Sequence, residues 1–203
     1  SRPGAALELF QKTQRANLEI NLLVNNAGFG AFGEFSANPL ERQREMIDLN
    51  VGALVELSHL YLQPMKERGT GGIVNVASIA GYVPLPYNAV YGATKAFVRS
   101  FSHALYQEAR PYGIEILVVN PGKTETKFFE TANMDISKDG GQRQSAAQVV
   151  KEALWALDRG RSSVITGMGN RMLMRLAHFL PQSWIAAVVA KKARQSRNDL
   201  SAS

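Results

Sequence analysis

Residues 71–105 read GGIVNVASIAGYVPLPYNAVYGATKAFVRSFSHAL. The stretch opens with a short apolar run, Ile73–Ala77, that predicts a buried β-strand. After a turn that contains glycine and proline, it continues into apolar positions at helical spacing, which predict a helix over residues 88–110. A buried strand followed by a helix is the repeating unit of an α/β fold.

The same alternation continues on both sides of this stretch. Residues 124–143 interrupt it, and their polar, glycine-rich composition predicts a long loop. Strands joined by crossover helices predict a parallel sheet with helices on both faces. The further predicted strands are Ile20–Val24, Ile114–Val119 and Ser163–Thr166, and the further predicted helices span residues 5–16, 39–67, 146–158 and 170–195, the last divided at Pro181.

Composition narrows the class of protein. The chain has 203 residues, of which 45% are apolar and 20% charged, and these values suit one globular domain. It contains no cysteine, which excludes a disulfide scaffold and a thiolate metal site. The histidines, His59, His103 and His178, lack the spacing of metal ligands. The formal net charge is +6, and eight basic residues but no acidic residue lie between Arg159 and Arg197.

Three side chains suit a proton-transfer centre. Tyr91 and Lys95 are four residues apart on one predicted helix, so their side chains share a face. Ser78 directly follows a predicted strand, at the edge of a parallel sheet where ligands bind. A lysine ammonium lowers the pKa of a nearby tyrosine from about 10, and a serine hydroxyl can orient a substrate oxygen. Each feature is common alone, but together they suit proton delivery to a carbonyl oxygen.

Five motifs, in this order, make the chain similar to a known family. The sequence resembles the classical short-chain dehydrogenase/reductase family over residues 5 to 167. The resemblance implies a Rossmann-like doubly wound parallel sheet and an enzyme that interconverts a carbonyl and an alcohol with NAD or NADP. The motifs are NNAG at 25–28, LNVGA at 49–53, IVNVAS at 73–78, YGATK at 91–95 and NPG at 120–122.

The resemblance also implies a role for each matching residue. Tyr91 would be the general acid and base, and Lys95 would lower its pKa and hold the nicotinamide ribose. Ser78 would position the substrate carbonyl, and Asn50 would hold a water that links Lys95 to solvent. The remaining implied cofactor-binding residues are Asn26, Ala27 and Gly28 on the adenosine side, and Pro121, Gly122 and Thr124 beside the nicotinamide.

Longer stretches narrow the resemblance to a subgroup. Residues 25–35, 91–105, 124–130 and 159–181 are similar to DltE-like bacterial reductases. This similarity implies NADP (NADPH) rather than NAD, and the reduction of a lipophilic ketone or aldehyde. Aromatic and apolar residues of two loops would flank the site, although they would fill the core equally well. They are Phe29, Phe32, Phe35, Val83, Leu85 and Pro86, with Phe128 and Phe129 as a possible cap.

One expected motif has no match. The family opens with a strand and a glycine-rich turn, TGxxxGxG, that binds the cofactor pyrophosphate at a helix N-terminus. Residues 28–33 contain a bare GxGxxG pattern, but it follows the NNAG strand, and we interpret it as a substrate-side loop. We therefore expect an N-terminally truncated sheet with the Ile20–Val24 strand at an open edge. Residues 1–168 would form the dehydrogenase domain, and residues 169–203 a basic, amphipathic helical extension.

Several partners stay open at this stage. Apolar and basic residues mix over 170–197, which suits a membrane-surface helix pair, a lid over the site or a dimer contact. Nucleic acid is the least favoured partner, because aromatic stacking platforms and nucleic-acid motifs are absent. By family analogy, the helices at 39–67 and 88–110 would form the interface of a homo-oligomer, a dimer or tetramer. The expected location is cytoplasmic, or peripheral at a membrane.

Two functions outside catalysis also stay open. The chain could be a non-catalytic binding protein built on this fold. The intact set of Ser78, Tyr91, Lys95 and Asn50 disfavours that alternative, because binding alone does not require a tyrosine with a tuned pKa. It could also be a membrane-peripheral binding protein that uses its C-terminal helices.

We expect these 203 residues alone to bind a nicotinamide dinucleotide weakly, because no segment among them matches the glycine-rich phosphate-binding turn. Isothermal titration calorimetry with NADPH and NADH measures this affinity. A dissociation constant in the micromolar range would contradict the expectation.

Overall fold

Short apolar runs pair into one parallel sheet. The computed structural model describes residues 2–126 and 143–201. Within them Leu22–Asn25, Gly71–Val76, Ile114–Asn120 and Ser163–Ile165 form a four-stranded sheet in that order, with all neighbours parallel, and Thr124–Glu125 and Gln144–Ser145 form a separate parallel pair. The predicted parallel α/β fold is therefore confirmed. The strands are β1 (Leu22–Asn25), β2 (Gly71–Val76), β3 (Ile114–Asn120), β4 (Thr124–Glu125), β5 (Gln144–Ser145) and β6 (Ser163–Ile165).

Helices follow the strands much as the apolar spacing predicts. Short 3₁₀ turns lie at Phe35–Ala37, Ile79–Gly81 and Arg110–Tyr112. None of the helices in the described part of the chain has the length and hydropathy needed to cross a membrane. The helices are α1 (Ala5–Arg15), α2 (Leu40–Ile47), α3 (Leu54–Arg68), α4 (Ala89–Ala109), α5 (Ala146–Leu157), α6 (Met168–His178) and α7 (Gln182–Ser201).

The predicted helix over residues 39–67 contains a feature that its apolar spacing does not show. A π-helical segment, Asp48–Ala53, separates α2 from α3. In such segments each backbone hydrogen bond spans five residues instead of four, and they occur frequently at functional sites. Here the segment carries Asn50, which is 1% exposed. Beyond it, α3 continues through Pro64 to Arg68.

Alternating residues of the strands build a core on each face of the sheet. On one face Ile73 and Ile116 pack with Tyr61 and Met65 of α3 and Leu105 of α4. On the other face Val74, Leu117, Val119 and Val164 pack with Ala156 of α5. Successive strand residues point to opposite faces, so one strand serves both cores. This arrangement confirms the prediction of helices on both faces.

The sheet edge at β1, the 124–143 loop and the start of α6 can each be compared with what the sequence predicts. Strand β1 lies at the edge of the sheet, as expected, and its residues Leu22 and Val24 are 40% and 52% exposed. The predicted loop over 124–143 begins with a short strand, because Thr124–Glu125 pairs with Gln144–Ser145. Residues 127–142 of that loop, including Phe128 and Phe129, lie outside the described residues. The predicted division at residue 168 coincides with the first residue of α6, and it remains a prediction.

The turn at Ile79–Gly81 brings α4 close to the end of β2. A Cβ atom on Gly81 would lie 2.6 Å from the carbonyl carbon of Lys95 and 2.8 Å from the backbone nitrogen of Ala96. These are rigid helix atoms, so position 81 has no room for a side chain. The close approach fixes the height of Lys95 relative to β2.

We expect Gly81→Ala to lower the free energy of unfolding by about 1–3 kcal/mol, because the added methyl group displaces the backbone of α4. Urea denaturation measures the change. Gly52→Ala is the matched control, since no atom lies within 4 Å of a Cβ at position 52. Alanine there should be neutral or stabilising by up to about 1 kcal/mol. Equal stability of the Gly81 variant and the wild type would contradict the proposed close packing.

Candidate active site

Buried polar side chains link the ends of two strands to two helices. Asn25 of β1 donates from Nδ2 to Asn75 Oδ1 of β2 (2.9 Å) and to Ser58 Oγ of α3 (3.1 Å). Asn75 donates in turn to Ser102 Oγ of α4 (2.9 Å). Hydrogen bonds between buried groups hold their partners in one arrangement, because breaking them leaves an unsatisfied group. The network therefore fixes the carboxyl edge of the sheet.

Ser78 and Tyr91 meet at this edge. Ser78 Oγ accepts the Ala80 N–H (3.1 Å), which begins the 3₁₀ turn, and donates to the Pro121 carbonyl at 3.4 Å. The same hydroxyl is hydrogen-bonded to the side chain of Tyr91. Tyr91 is 8% exposed. The structure thus brings together the two hydroxyl groups that the sequence places at one site.

Lys95 lies one turn along α4 from Tyr91 and is buried. Its Nζ donates to the Val76 carbonyl of β2 (2.8 Å) and lies 5.8 Å from the centre of the Tyr91 ring. The residue is 5% exposed. The ammonium is therefore bonded to the sheet while it lies beside the tyrosine ring.

Burial determines the protonation of both groups. It raises the pKa of Tyr91 to about 12, against the opposing effect of the Ser78 hydrogen bond, and it lowers the pKa of Lys95 to about 8. Loss of water disfavours the charged form of each group. The net shift of Tyr91 is opposite to the expected one, because desolvation outweighs the groups that would stabilise a phenolate. At pH 7 the phenol is neutral and most of the lysine is protonated.

Asn50 fastens the loop after β1 to α4. Its Nδ2 donates to the Phe29 carbonyl (2.9 Å) and to Thr94 Oγ1 (3.1 Å), and its Oδ1 accepts the Phe29 N–H (3.0 Å). Gly28 lies beside it, and a Cβ there would come 2.8 Å from Asn50 Oδ1 and 3.4 Å from Lys95 Nζ. Glycine at position 28 thus leaves space next to both groups. The water relay through Asn50 remains a prediction.

The residues expected on the adenosine side follow β1 directly. Asn26 and Ala27 are exposed, and Gly28 is half-buried. The Asn26 N–H donates to the Val24 carbonyl (3.1 Å), which turns the chain at the end of the strand. The structure leaves Asn26 and Ala27 accessible to a ligand, and it groups Gly28 with Asn50 and Lys95.

The residues expected beside the nicotinamide follow β3. The Pro121 carbonyl accepts a hydrogen bond from Ser78 Oγ, and Thr124 Oγ1 donates to the Gly122 carbonyl (3.2 Å). The side chain of Asn170, from α6, covers Gly122 so closely that a Cβ there would collide with it. Pro121 therefore joins the Ser78 site, while Gly122 packs beneath α6.

Three residues that the sequence reasoning passed over contribute to this arrangement. Thr94 donates to the Tyr91 carbonyl (2.8 Å) and accepts from Asn50, and Gly81 permits the approach of α4. Asn170 donates to the Thr166 carbonyl (2.8 Å) while it covers Gly122. Thr94 stands within the YGATK motif, which was a usable signal. No spacing marks Asn170, because its contacts join distant parts of the chain.

The aromatic residues expected around the site divide into two groups. Phe29 is 9% exposed and packs with Met46 and Tyr91, and the Arg42 guanidinium lies 3.9 Å above its ring. Leu85 packs against the same cluster. These side chains fill the core, as the alternative interpretation held.

Phe35 and Pro86 line an open cavity whose walls include none of Ser78, Tyr91 and Lys95. Phe35 is 64% exposed, and it borders this cavity of about 460 Å³ together with Pro86, Tyr87 and two residues of α7, Ala190 and Arg194. Arg194 Nε donates to Tyr87 Oη (3.0 Å). Tyr87 has a φ of 65°, which is rare for a bulky residue and costs energy unless neighbouring contacts hold it. Helix α7 thus closes one side of the cavity.

Three basic side chains, Lys123, Lys192 and Arg143, lie near one another. Partial burial, and then the charges of Lys192 on α7 and of Arg143, lower the pKa of Lys123. Lys123 follows Gly122 directly, so these cations lie near the end of β3. Among residues 2–126 and 143–201, no group of three or more His, Cys, Asp or Glu side chains could hold a metal ion.

Comparison with known proteins gives one consistent family. The model of the short chain dehydrogenase family matches residues 3–137. A probable short-chain type dehydrogenase/reductase, VdlC of Helicobacter pylori, is 26% identical over 91% of this chain and 75% of its own length. The very-long-chain 3-oxoacyl-CoA reductase of Mus musculus is 32% identical over 86% of this chain and 55% of its own length. The chain thus spans roughly half to three quarters of these relatives.

A solved structure agrees with the fold. The short-chain dehydrogenase from Sphingobium yanoikuyae in complex with NADPH superposes with a TM-score of 0.76 at 29% identity, covering 96% of this chain and 72% of that one. The matches confirm the predicted family and its Rossmann-like fold. They test neither the DltE-like subgroup nor the absence of a glycine-rich segment.

We expect Lys95→Met to raise the free energy of unfolding at neutral pH by about 1–2 kcal/mol. Lowering the pKa of Lys95 from 10.5 to about 8 corresponds to roughly 3 kcal/mol of burial cost, less the lost bond to the Val76 carbonyl. Between pH 8 and 10 the folded protein releases this proton while the unfolded chain keeps it, so the wild type gains stability. The advantage of the variant should therefore shrink over that range.

Urea denaturation at about pH 7 and about pH 9.5 measures both effects. Lys151→Met removes an exposed lysine of α5 and should change the free energy of unfolding by less than about 0.5 kcal/mol. A Lys95 variant that is less stable than the wild type by the same amount at both pH values would contradict the burial cost.

Proposed function

Because the chain belongs to the short chain dehydrogenase family, a family of oxidoreductases, we propose that the native protein interconverts a carbonyl and an alcohol with NAD(P). One observation carries the proposal. The hydroxyl of Ser78 is hydrogen-bonded to the Tyr91 side chain, and buried Lys95 lies beside the Tyr91 ring, where the parallel strands end. A dry crevice at the carboxyl edge of such a sheet is the usual place for ligands in this architecture.

Each hydroxyl group has a separate task in this proposal. Tyr91 donates its proton to the carbonyl oxygen as negative charge develops there, which makes it the general acid. Ser78 donates a hydrogen bond to the same oxygen and orients it. A bound reduced nicotinamide supplies the hydride that the carbonyl carbon accepts. Lys95 would assist this donation, because its positive charge stabilises the Tyr91 phenolate that the proton transfer leaves behind.

The protonation of the site supports the reducing direction. A phenol with a pKa of about 12 is a proton donor at neutral pH, and the reverse reaction needs a phenolate. We propose reduction of a ketone or aldehyde as the main activity, with support from the mouse relative, which is named a reductase. Asn50 would contribute by holding the loop at Gly28 and, through a water, by linking Lys95 to solvent.

The residues present suit the nicotinamide end of a dinucleotide. Glycine at position 28 leaves space beside the Lys95 ammonium, which could then donate to ribose hydroxyl groups. Pro121, Gly122 and Thr124 would border the nicotinamide, and Asn26 and Ala27 the adenosine. NADPH is the proposed cofactor, with support from the NADPH complex of the Sphingobium yanoikuyae dehydrogenase.

An apolar substrate is favoured by part of the lining of the cavity at Phe35. Apolar Phe35, Pro86 and Ala190 line it together with Glu34, Ser36, Tyr87 and Arg194, and a volume of about 460 Å³ is large enough for a sizeable organic molecule. The mouse relative is named for very-long-chain 3-oxoacyl-CoA substrates. We propose an apolar ketone or aldehyde, which Ser78 and Tyr91 would hold by its oxygen.

The proposal extends to assembly and location. Phe97 of α4 is 43% exposed and stacks on Phe101 (5.9 Å between ring centres), which suits a homo-oligomer contact through α3 and α4. A cytoplasmic dimer or tetramer is therefore proposed. Residues 1–168 would carry the reaction, and residues 169–203 would form an extension.

We expect Tyr91→Phe to lower turnover of a carbonyl substrate by about 10²- to 10⁴-fold, because the general acid is lost while the ring is kept. Binding of NADPH, measured by fluorescence titration, should stay within about twofold, since no phosphate contact changes. Steady-state rates with NADPH and with NADH, for the native protein and a panel of lipophilic ketones, supply the reference values.

Tyr106→Phe is the matched control, because Tyr106 is exposed to solvent at its hydroxyl, which donates to the Gly160 carbonyl at 3.3 Å. It should keep full turnover. Retained activity in the Tyr91 variant would overturn the role of Tyr91. Equal efficiency with NADH would overturn the choice of NADPH and leave the reaction class intact.

A further inference from the structure

Helices α6 and α7 carry an apolar surface that nothing in the described chain covers. Eight large side chains between residues 168 and 188 are exposed, with exposed fractions from 50% for Leu180 to 83% for Phe179. Large exposed apolar patches mark interaction sites. The C-terminal apolar face consists of Met168, Met172, Leu173, Leu176, Phe179, Leu180, Trp184 and Val188.

The face has the geometry of two amphipathic helices joined at a corner. Met168, Met172 and Leu176 follow each other at four-residue intervals along α6, as Trp184 and Val188 do on α7. Phe179 lies at the corner, where its ring contacts that of His178 edge to face (5.6 Å between centres). Apolar side chains concentrate at this corner, and a tryptophan stands beside them.

The opposite sides of both helices are attached to the rest of the protein. Met174 of α6 is buried, and Arg171 pairs with Glu152 of α5. Arg194 of α7 bonds to Tyr87. Each helix therefore has a polar contact with the body of the protein, and the large apolar side chains of the C-terminal apolar face are left exposed.

The charge on this segment has one sign. Residues 168–195 include Arg171, Arg175, Lys191, Lys192 and Arg194, and no aspartate or glutamate. Apolar side chains together with basic ones are typical of helices that lie in the interface of an anionic membrane. Tryptophan is also enriched at that depth, because its ring is apolar and its N–H is polar.

A second copy of the chain is a poorer occupant of this face. In a two-fold symmetric contact each patch meets itself, so the cations of both helices would face like charges. An anionic lipid surface offers the opposite charge and an apolar interior at once. Neither helix is apolar and long enough to cross a membrane, so a position along the surface is the consistent one.

We propose that the C-terminal apolar face docks on the surface of an anionic lipid bilayer, with Phe179 and Trp184 inserted among the acyl chains. This inference stands independently of the proposed reaction. It also gives α7 two roles, since Ala190 and Arg194 on the same helix line the cavity at Phe35.

Vesicle co-sedimentation tests the docking. The chain should pellet with vesicles of equimolar phosphatidylcholine and phosphatidylglycerol, and about tenfold less with phosphatidylcholine alone. High salt should weaken the first interaction. Phe179→Ser/Trp184→Ser should reduce binding by at least about tenfold, because two large apolar side chains are removed. Arg175→Gln/Lys191→Gln should reduce binding to the anionic vesicles and lower its salt dependence.

The control variant is Val150→Ser/Leu154→Ser, which removes two apolar side chains of α5 with exposed fractions of 54% and 55%. It should bind vesicles as the wild type does. Trp155→Phe leaves Trp184 as the single tryptophan, and its emission should shift to shorter wavelength with anionic vesicles. Circular dichroism of each variant confirms folding.

Three results would overturn the inference. The first is no pelleting of the wild type with anionic vesicles. The second is pelleting that the Phe179/Trp184 variant retains, since binding would then be electrostatic and non-specific. The third is an oligomer, seen by analytical ultracentrifugation, that the same variant dissolves while vesicle binding is absent. In that case the face would be an interface between copies of the chain.

Discussion

The approach of α4 to the turn at Ile79–Gly81 determines where the reacting groups lie. Because Gly81 has no side chain, the backbone of Lys95 can pack directly on the turn, and Nζ reaches the Val76 carbonyl. The same turn begins at Ser78, whose hydroxyl is hydrogen-bonded to the side chain of Tyr91. One close contact between glycine and helix backbone therefore sets the distances among three side chains from two elements.

This arrangement places a cation where packing alone would favour an apolar side chain. A pKa near 8 for Lys95 corresponds to a burial cost of roughly 3 kcal/mol, a sizeable share of the 5–15 kcal/mol that stabilises a typical domain. The bond to Val76 recovers only part of that cost. A methionine of similar length would pack there without this cost. The lysine is therefore best explained by chemistry at the neighbouring Tyr91.

The extent to which the sequence determined these features depends on how local their causes are. Strand β3 and helix α4 match their predicted bounds within a residue or so, since apolar periodicity is local. The site residues Ser78, Tyr91 and Lys95 followed from motifs. The π-helical segment at Asp48–Ala53 could not be predicted from the sequence, because Asn50 within it forms hydrogen bonds to residues that are distant in the chain. The direction of the Tyr91 pKa shift could not be predicted either, because it depends on how deeply the side chain is buried.

Helix α7 connects the cavity to the surface because its two sides differ. Ala190 and Arg194 border the cavity, whereas Trp184 and Val188, at 69% exposed, face away from the body of the protein. An apolar substrate is concentrated in a bilayer, because transfer from water into hydrocarbon is favourable. If the C-terminal apolar face docks on a bilayer as proposed, α7 would meet lipid on one side and the cavity on the other, which would shorten the path of an apolar substrate through water. Arg194 donates a hydrogen bond to Tyr87, whose φ of 65° is strained, so the position of α7 is coupled to the wall of that cavity.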